Sequence, residues 1–486
     1  MTLDIHTCLY WPILEVMHRL APFARCSNAT RSALRLGDCN LFTARSDCLM
    51  ERGQVEYLIV KTCLLLLTVL IDRTGCHCCS FRLCCIVCER AAPMAFMGPL
   101  ERPLRVATDC SGMETPLMAL KCLNVDFEHV FSCDNDPHVK KQILTNYPQV
   151  QFFDDLMTRD NGNAAVPCAD LYVAGFPCQP FSGAGKRRGL EDARGTVFFG
   201  CADYIQKKQP RMYILENVKR ILSNDKGRTW KLIINTLITM NHGAYHVEWK
   251  ILDTQEHGVP QSRPRVYIVG VLKMTLPENF QSFPWPDKLP LISIEPLLEK
   301  AERKPTMKTL PPKFPKTPYK GVKEVMDALH KAKQNPLCRT FLIDIDASPK
   351  FRSYMEDRVM CMTKSRPSGF WISSRGRRMT VEEMLRLQGM ERCFEQVVSD
   401  KILGAQIGNA MSQNILERFF IHLLPIAGLV PKSMVLQDRW LHRTSDPTWP
   451  RRVNNVKKVP LRVKETSKRE SSAASCTAGS KKRRAA

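Results

Sequence analysis

Residues 104–112, LRVATDCSG, form a run of apolar and β-branched residues that ends in Asp109 and a short Cys-Ser-Gly loop. Further runs of the same kind are HVFSCD at 129–134, DLYVAG at 170–175, MYILEN at 212–217 and RVYIVGV at 265–271. Amphipathic or polar stretches separate them, and this alternation is typical of a sheet with helices on both faces. The sequence therefore predicts an α/β fold with a doubly wound, mostly parallel sheet.

Polar residues follow the first runs at the positions where ligands of such sheets bind. The loop Cys110-Ser111-Gly112 ends the first run, and Asp134 ends the second. An acidic side chain there can accept hydrogen bonds from the ribose of a nucleoside cofactor, although a tight turn and a helix cap give the same pattern. The loop has too few glycines for a phosphate cradle. Asp155, after the run QFF, is equally ambiguous.

Cys178 lies in AGFPCQPFS, residues 174–182, a loop bounded by glycine and proline that follows the run DLYV. A structural cysteine would more naturally lie inside the strand, whereas this one is at the ligand-binding edge. An inert thiol is the alternative. The basic run Lys186-Arg187-Arg188 follows, and it either contacts phosphates or forms a solvated surface loop.

The stretch from Cys178 through GLEDARGT at 189–196 resembles the catalytic loop of the DNA (cytosine-5) methyltransferases. Other blocks follow in that family's order, and they are ENV at 216–218, QSRPR at 261–265, RLQG at 386–389 and GNA at 408–410. The resemblance spans roughly residues 104–425. It implies an enzyme that transfers a methyl group from S-adenosylmethionine to carbon 5 of a flipped cytosine in DNA, without a metal.

The resemblance also implies a role for each matching residue. Cys178 is the nucleophile that attacks carbon 6, and Glu216 engages N3 and the exocyclic amine of the base. Arg265 contacts the base carbonyl O2, and Arg263 is its neighbour near the loop and the phosphates. The residues implied in cofactor binding are Cys110, Ser111, Gly112, Asp134, Asp155, Asn409 and Ala410. Those implied in substrate binding are Gln179, Ser182, Lys186, Arg187 and Gln261.

One departure from the family pattern is Met113-Glu114-Thr115, where further glycine is common. Glu114 is expected either to crowd the methionine end of the cofactor or to point to solvent. Two alternatives to the main interpretation stay open. A tRNA cytosine methyltransferase has the same fold and the same cysteine, but the Cys-Phe-Thr tripeptide of that branch is absent from this sequence. A catalytically silent DNA-binding homologue is disfavoured because Cys178, Glu216, Arg263 and Arg265 are all present.

The sequence predicts four regions. Residues 104–272 and 363–425 form the catalytic domain, and the Pro- and Lys-rich interval 273–362 is the expected target-recognition lobe. Residues 1–98 are expected to be poorly structured or not part of the working protein. Six cysteines between Cys76 and Cys88 give a zinc cluster as the alternative there, and the apolar run 62–71 is too short to span a bilayer.

Charge indicates a polyanionic partner, because 71 Lys and Arg outnumber 48 Asp and Glu. The C-terminal stretch 431–486 alone holds 15 Lys and Arg against 4 Asp and Glu, and it is predicted to be a disordered basic tail. Its run Lys481-Lys482-Arg483-Arg484 predicts nuclear import. Double-stranded DNA is the expected partner, the nucleus is the expected location, and no membrane association is expected.

Overall fold

The computed structural model describes residues 98–177, 197–431 and 433–441. The chain divides into two units between Pro93 and Met94, and all described residues belong to the second, Met94–Ala486. The predicted residues Cys178, Gln179, Ser182, Lys186 and Arg187 lie outside the described residues, as do the Cys-rich first 97 residues and the basic run at 481–484. No helix of the described segments combines the length and the apolar content that crossing a membrane requires.

The main sheet has seven strands among the described residues, in the order β3-β2-β1-β4-β5-β7-β6. These strands are β1 (Leu104–Asp109), β2 (Phe127–Cys133), β3 (Gln151–Phe153), β4 (Leu171–Ala174), β5 (Met212–Val218), β6 (Tyr245–Asp253) and β7 (Pro264–Leu272). Strands β1 to β5 pair in parallel, whereas β7 runs antiparallel to both of its neighbours. The predicted doubly wound, mostly parallel sheet is confirmed. The reversal of β7 and the presence of β6 were not predicted.

Helices alternate with these strands and then follow them along the chain. They are α1 (Thr115–Cys122), α2 (Pro137–Asn146), α3 (Val197–Lys208), α4 (Arg228–Thr239), α5 (Lys316–Lys331), α6 (Val381–Arg386), α7 (Asp400–Asn409) and α8 (Gln413–Ile426). Short 3₁₀ turns are Lys219–Gly227, Met240–Gly243, Thr254–His257, Lys273–Thr275, Glu295–Leu297 and Pro349–Phe351. Local side chains set several helix starts. Asp136 caps α2 by accepting from the His138 amide, and Thr380 with Glu383 forms a capping box on α6.

Both faces of the main sheet are covered by apolar packing. On one face Val106, Val173 and Ile214 pack with side chains of α1 and α8, among them Leu117 and Phe419. Alternate strand residues point to the other face, where they pack with α3 and α4. Each large apolar side chain buried in this way stabilises the fold by about 1.5–3 kcal/mol. The sheet is thereby held rigidly, and its strand ends form a fixed edge.

A second, antiparallel sheet of four strands has the order β11-β10-β8-β9. Its strands are β8 (Phe341–Ile343), β9 (Tyr354–Glu356), β10 (Trp371–Ile372) and β11 (Arg377–Arg378). Helix α5 packs on it through Val322, Val325, Met326 and Leu329. A small lobe was predicted for 273–362, but β10, which pairs with β8, and β11, which pairs with β10, both lie beyond residue 362. The lobe therefore extends further along the chain than the predicted boundary.

The beginning of the predicted disordered tail is packed against the main domain. Trp440 is 1% exposed, and its indole Nε1 donates to Glu417 Oε2 at 2.7 Å. Arg439 binds both oxygens of the same carboxylate at 2.7 Å. A buried carboxylate that accepts hydrogen bonds from an indole and a guanidinium fixes the segment that carries them. The prediction of disorder from residue 431 was therefore wrong for residues 433–441.

Candidate active site

The loop after β1 is tied to the end of β2 by hydrogen bonds. The backbone amide of Ser111 donates to the Cys133 carbonyl at 3.1 Å, and the Cys133 amide donates to the Ser111 hydroxyl at 2.9 Å. Gly112, at φ +54°, donates its amide to Asp134 Oδ2 at 3.0 Å. The structure thus brings together Cys110, Ser111, Gly112 and Asp134. Because the Ser111 hydroxyl is committed to Cys133 and Thr108, it shapes the loop.

Asp134 fits the expected cofactor on the chemistry of its carboxylate. It is half-buried, and its second oxygen accepts from the Asp136 amide at 3.0 Å. Burial raises the pKa of Asp134 above its usual value. A carboxylate that accepts one amide on each oxygen keeps lone pairs for the hydroxyls of a ribose. Asp155 lies two residues beyond β3, exposed, with Oδ1 bound to the Met157 amide at 2.9 Å.

The late block 408–411 reaches the main sheet from α7. A Cβ on Gly408 would lie 2.3 Å from the Thr363 carbonyl carbon, so only glycine fits this approach. Asn409 is exposed, whereas Ala410 is buried and its carbonyl accepts from Gln388 and Arg263 at 2.8 and 2.7 Å. The Met411 methyl lies 3.1 Å from where a Cβ on Gly175 would be. The block therefore reaches the end of β4.

A carboxylate and a guanidinium form an ion pair between β5 and β7. Glu216 Oε1 lies 2.9 Å from Arg265 Nε, and the two side chains are 11% and 12% exposed. Glu216 Oε2 lies 3.7 Å from where a Cβ on Gly175 would be, three residues before Cys178 in the sequence. The Asn217 amide Nδ2 donates to the Phe176 carbonyl at 3.0 Å and holds that stretch in place. The predicted acid and arginine thus lie together, beside the start of the Cys178 loop.

Arg263 occupies a different environment from the one expected beside phosphates. It is 2% exposed, and its Nη atoms donate to the carbonyls of Met362, Gly408 and Ala410 at 2.7 to 3.3 Å. A guanidinium whose terminal donors are all used within the protein has none left for a phosphate. The structure corrects the expectation, because Arg263 joins the late block to β7.

Gln261 also departs from its expected contact with the substrate. It is fully buried, and its amide nitrogen donates to the Leu387 carbonyl and to Gln388 Oε1, both at 2.6 Å. Its oxygen accepts from the Met362 amide at 3.0 Å. Both ends of the side chain are therefore used within the protein, and Gln261 acts as a structural link.

Glu114 does not point to solvent, which was one of its two expected positions. It is fully buried, and Oε1 accepts from the hydroxyls of Thr108 and Ser132 at 2.7 and 2.6 Å. Its backbone φ of +55° turns the side chain under the loop and away from solvent. Burial raises the pKa of Glu114 to about 7, against the opposing effect of the Ser132, Thr108 and Ser111 hydroxyls. The carboxyl therefore supports the loop from below.

The raised pKa of Glu114 predicts a specific pH dependence of folding. The folded state holds this proton up to about pH 7, whereas the ordinary pKa of a glutamate is 4.5. The stability that protonated Glu114 contributes is therefore lost as pH rises through that interval. Relative to Glu114→Gln, the wild type is expected to lose about 1–3 kcal/mol of unfolding free energy between pH 5 and pH 8. Urea unfolding at both pH values measures this difference.

The matched control is Glu128→Gln, an exposed carboxylate on the same strand as Ser132. His129, whose pKa burial lowers to about 4, faces Glu114 at 3.6 Å and is present in every variant. Asp134 also acts on Glu114 and is likewise unchanged. Parallel pH profiles for the wild type and Glu114→Gln would contradict the assignment.

The fold and this site together define an α/β enzyme of the S-adenosylmethionine-dependent methyltransferase class. The family model described as C-5 cytosine-specific DNA methylase matches residues 108–423. The chain belongs to this family. Its members transfer a methyl group from S-adenosylmethionine to carbon 5 of cytosine in DNA, and this confirms the predicted family, activity and cofactor.

Curated relatives agree with the family assignment. The Type II methyltransferase M.NgoBI of Neisseria gonorrhoeae is 33% identical over 292 residues, covering 60% of this chain and 84% of that protein. M.HpaII of Haemophilus parainfluenzae is 33% identical over 301 residues, covering 60% and 81%. M.NgoBV of Neisseria gonorrhoeae is 36% identical over 214 residues, covering 42% of this chain. The chain spans about half of the length of M.NgoBV, 48%.

Proposed function

We propose that the chain methylates cytosine in double-stranded DNA, with Cys178 as the covalent nucleophile and Glu216 and Arg265 as the groups that hold and activate the base. The observation that carries this proposal is the ion pair of Glu216 and Arg265 at 2.9 Å beside Gly175. Both side chains are largely withdrawn from water. Polar groups act more strongly on a bound base in a site from which water is excluded. DNA is the substrate of the family, and the duplex form is our inference.

The proposed reaction begins with addition of the Cys178 thiolate to carbon 6 of cytosine. Addition at carbon 6 moves electron density toward N3, and Glu216 supplies or shares a proton there that neutralises it. Arg265 holds O2 of the base. Carbon 5 then carries the nucleophilic electron pair. When bound, S-adenosylmethionine would supply the methyl group for carbon 5 from its sulfonium and would leave as the neutral thioether S-adenosylhomocysteine. Transfer of the carbon 5 proton to water and return of the N3 proton to Glu216 would restore the ring double bond and expel the Cys178 thiolate.

The remaining site residues belong to the same proposal. Cys110, Ser111, Gly112, Asp134, Asp155, Asn409 and Ala410 would surround the cofactor, with Asp134 toward the ribose. Flipping the target base costs a few kcal/mol, and contacts from Gln179, Ser182, Lys186 and Arg187 would offset this cost. The lobe that contains α5 and the second sheet would recognise the target sequence, and the basic stretch beyond residue 441 would contact phosphates.

We also propose a nuclear location. Its support is the run Lys481-Lys482-Arg483-Arg484, a cluster of the kind that import receptors bind. The relatives named above come from bacteria, so they offer no support for this proposal. Imaging of a fluorescent fusion in a eukaryotic cell, with and without this run, tests the proposal.

The activity is tested by transfer of tritium from labelled S-adenosylmethionine to nucleic acid. We expect the wild type to label unmethylated and hemimethylated duplex DNA, because a flipped base and both backbones are needed for full contact. Cys178→Ala should label nothing, since no adduct can form. Label confined to tRNA would move the substrate to RNA, and absence of label on every substrate would favour a silent homologue.

A further inference from the structure

Residues 359–362 form a segment that returns from the small lobe to the main domain. Its backbone pairs with the segment before β7, because the Val359 amide donates to Pro260 and the Ser262 amide donates to Val359, both at 2.9 Å. Val359 and Met362 are fully buried on either side of Cys361. The position of the Cys361 sulfur is therefore set by main-chain pairing and by buried neighbours.

The Cys361 sulfur lies between two arginines of the QSRPR block. It is 3.4 Å from Arg265 Nη2 and 3.4 Å from Arg263 Nη1, and both guanidiniums donate to it. The thiol itself donates to the Met362 carbonyl at 3.4 Å. Sulfur has the lone pairs to accept both arginine donors while its hydrogen is bound elsewhere. Cys361 is thus fully engaged although it is only half-buried.

This contact completes the fixation of the Arg265 guanidinium. Arg265 Nε pairs with Glu216 at 2.9 Å, and Nη1 donates to the Pro264 carbonyl at 3.0 Å. Cys361 holds the third nitrogen, Nη2. A planar guanidinium with a partner on each nitrogen keeps one orientation, which a base held at its O2 requires. Cys361 lies on the segment that connects the small lobe to the main domain. The position of that lobe therefore affects the pair of Glu216 and Arg265 through this sulfur.

We propose that Cys361 is a positioning residue for methyl transfer, whose sulfur holds Arg265 in the orientation that serves the target base. This inference rests on the proposed function, in which Arg265 and Glu216 engage cytosine. Cys361 itself touches neither cofactor nor base in this assignment. Its influence on the reaction passes through Arg265 alone.

The electrostatics of the site agree with this geometry. Burial raises the pKa of the Cys361 thiol, but Arg263 and Arg265 oppose this effect, and the pKa ends below its usual value. The nearby carboxylate of Glu216 is itself paired with Arg265. When the thiol ionises, its bonds to the two guanidiniums become charge-assisted and stronger. The hold on Arg265 is therefore expected to tighten as pH rises.

The test compares Cys361→Ala and Cys361→Ser with the wild type by steady-state methyl transfer to duplex DNA. We expect Cys361→Ala to lower kcat about tenfold, the size of effect for a lost hydrogen bond to a charged group, with KM for S-adenosylmethionine unchanged. Cys361→Ser should recover most of kcat, because a hydroxyl also accepts from Arg265. The ratio of wild-type to Cys361→Ser kcat should rise with pH, since the hydroxyl does not ionise.

The matched control is Cys393→Ala, another half-buried cysteine, which has apolar neighbours in the core around Met384 and Leu385. It should leave kcat unchanged, and its unfolding midpoint shows what a merely structural cysteine contributes. A wild-type kcat in Cys361→Ala would overturn the proposal for Cys361 alone. If Cys361→Ala and Cys361→Ser lost kcat equally, and in proportion to the fall of their unfolding midpoints, Cys361 would contribute only to packing. A wild type that labels no DNA would overturn the proposed function as well.

Discussion

Glu216→Gln is expected to lower kcat about 10²- to 10⁴-fold, the range for loss of a group that transfers a proton in the transition state. The amide keeps the size of the side chain but carries no exchangeable acid proton, so N3 of the base loses its activation. The substitution also removes the charge partner 2.9 Å from Arg265 Nε. KM for S-adenosylmethionine should change little, because the loop at Gly112 is tied to Asp134 and not to Glu216. Steady-state tritium transfer to duplex DNA measures both constants.

Glu248→Gln is the matched control for this experiment. Glu248 is a half-buried carboxylate on β6 that accepts from the Phe283 amide and from Trp285 Nε1 at 2.9 and 3.0 Å. Glu248 therefore only supports local packing. The kcat of Glu248→Gln per folded molecule should equal that of the wild type. If Glu216→Gln kept kcat within a few-fold of the wild type, proton transfer by Glu216 would have to be abandoned.

The positions of the strand ends could be predicted from the sequence because each strand is a short apolar run that stops at a polar residue. Asp134 and Glu216 were both located in this way. In the structure Asp134 directly follows β2, and Glu216 is the third residue from the end of β5. Parallel strands bring such ends to one edge without any knowledge of distant contacts. The general location of the site therefore follows from local sequence patterns.

The environment of the QSRPR block could not be predicted in the same way. Gln261, Arg263 and Arg265 alternate along extended chain, so sequence spacing treats them as equivalent. The difference between them comes from residues about 100 or more positions away, namely the carbonyls of Met362 and Gly408 that bind Arg263. Contacts so distant in sequence leave no local signal, and the same reason hid Cys361.

Helix α5 was missed although a signal was present. Its buried residues Val322, Val325, Met326 and Leu329 follow helical spacing, inside the interval that was described only as Pro- and Lys-rich. The strands of the second sheet are two or three residues long, too short to show a period of two. Glu114 was not predicted to be buried, because its buried position combines a positive φ with the hydroxyls of Thr108 and Ser132. Backbone reversals of this kind at a non-glycine residue are rare and are not visible in composition.

Arg159→Leu is expected to destabilise the protein by about 3–5 kcal/mol, the cost of leaving one charge of a buried pair alone. Arg159 binds both oxygens of Asp109 at 2.7 Å, and the two side chains are 1% and 0% exposed. The guanidinium also lies 4.6 Å from the centre of the Phe131 ring. After the substitution, the Asp109 carboxylate would retain the Tyr172 hydroxyl as a partner but no positive charge. Urea unfolding followed by tryptophan fluorescence measures the loss.

The double variant Asp109→Leu with Arg159→Leu separates charge from packing. Removing both charges should recover part of the loss, because no unpaired ion then remains in the core. Lys207→Met breaks a half-exposed pair with Asp203 at 3.0 Å and should cost less than about 1 kcal/mol. Asp109 is the last residue of β1, directly before the loop at Cys110, so the single variant should also weaken cofactor binding. Equal stability of Arg159→Leu and Lys207→Met would show that the buried pair contributes no more than a surface one.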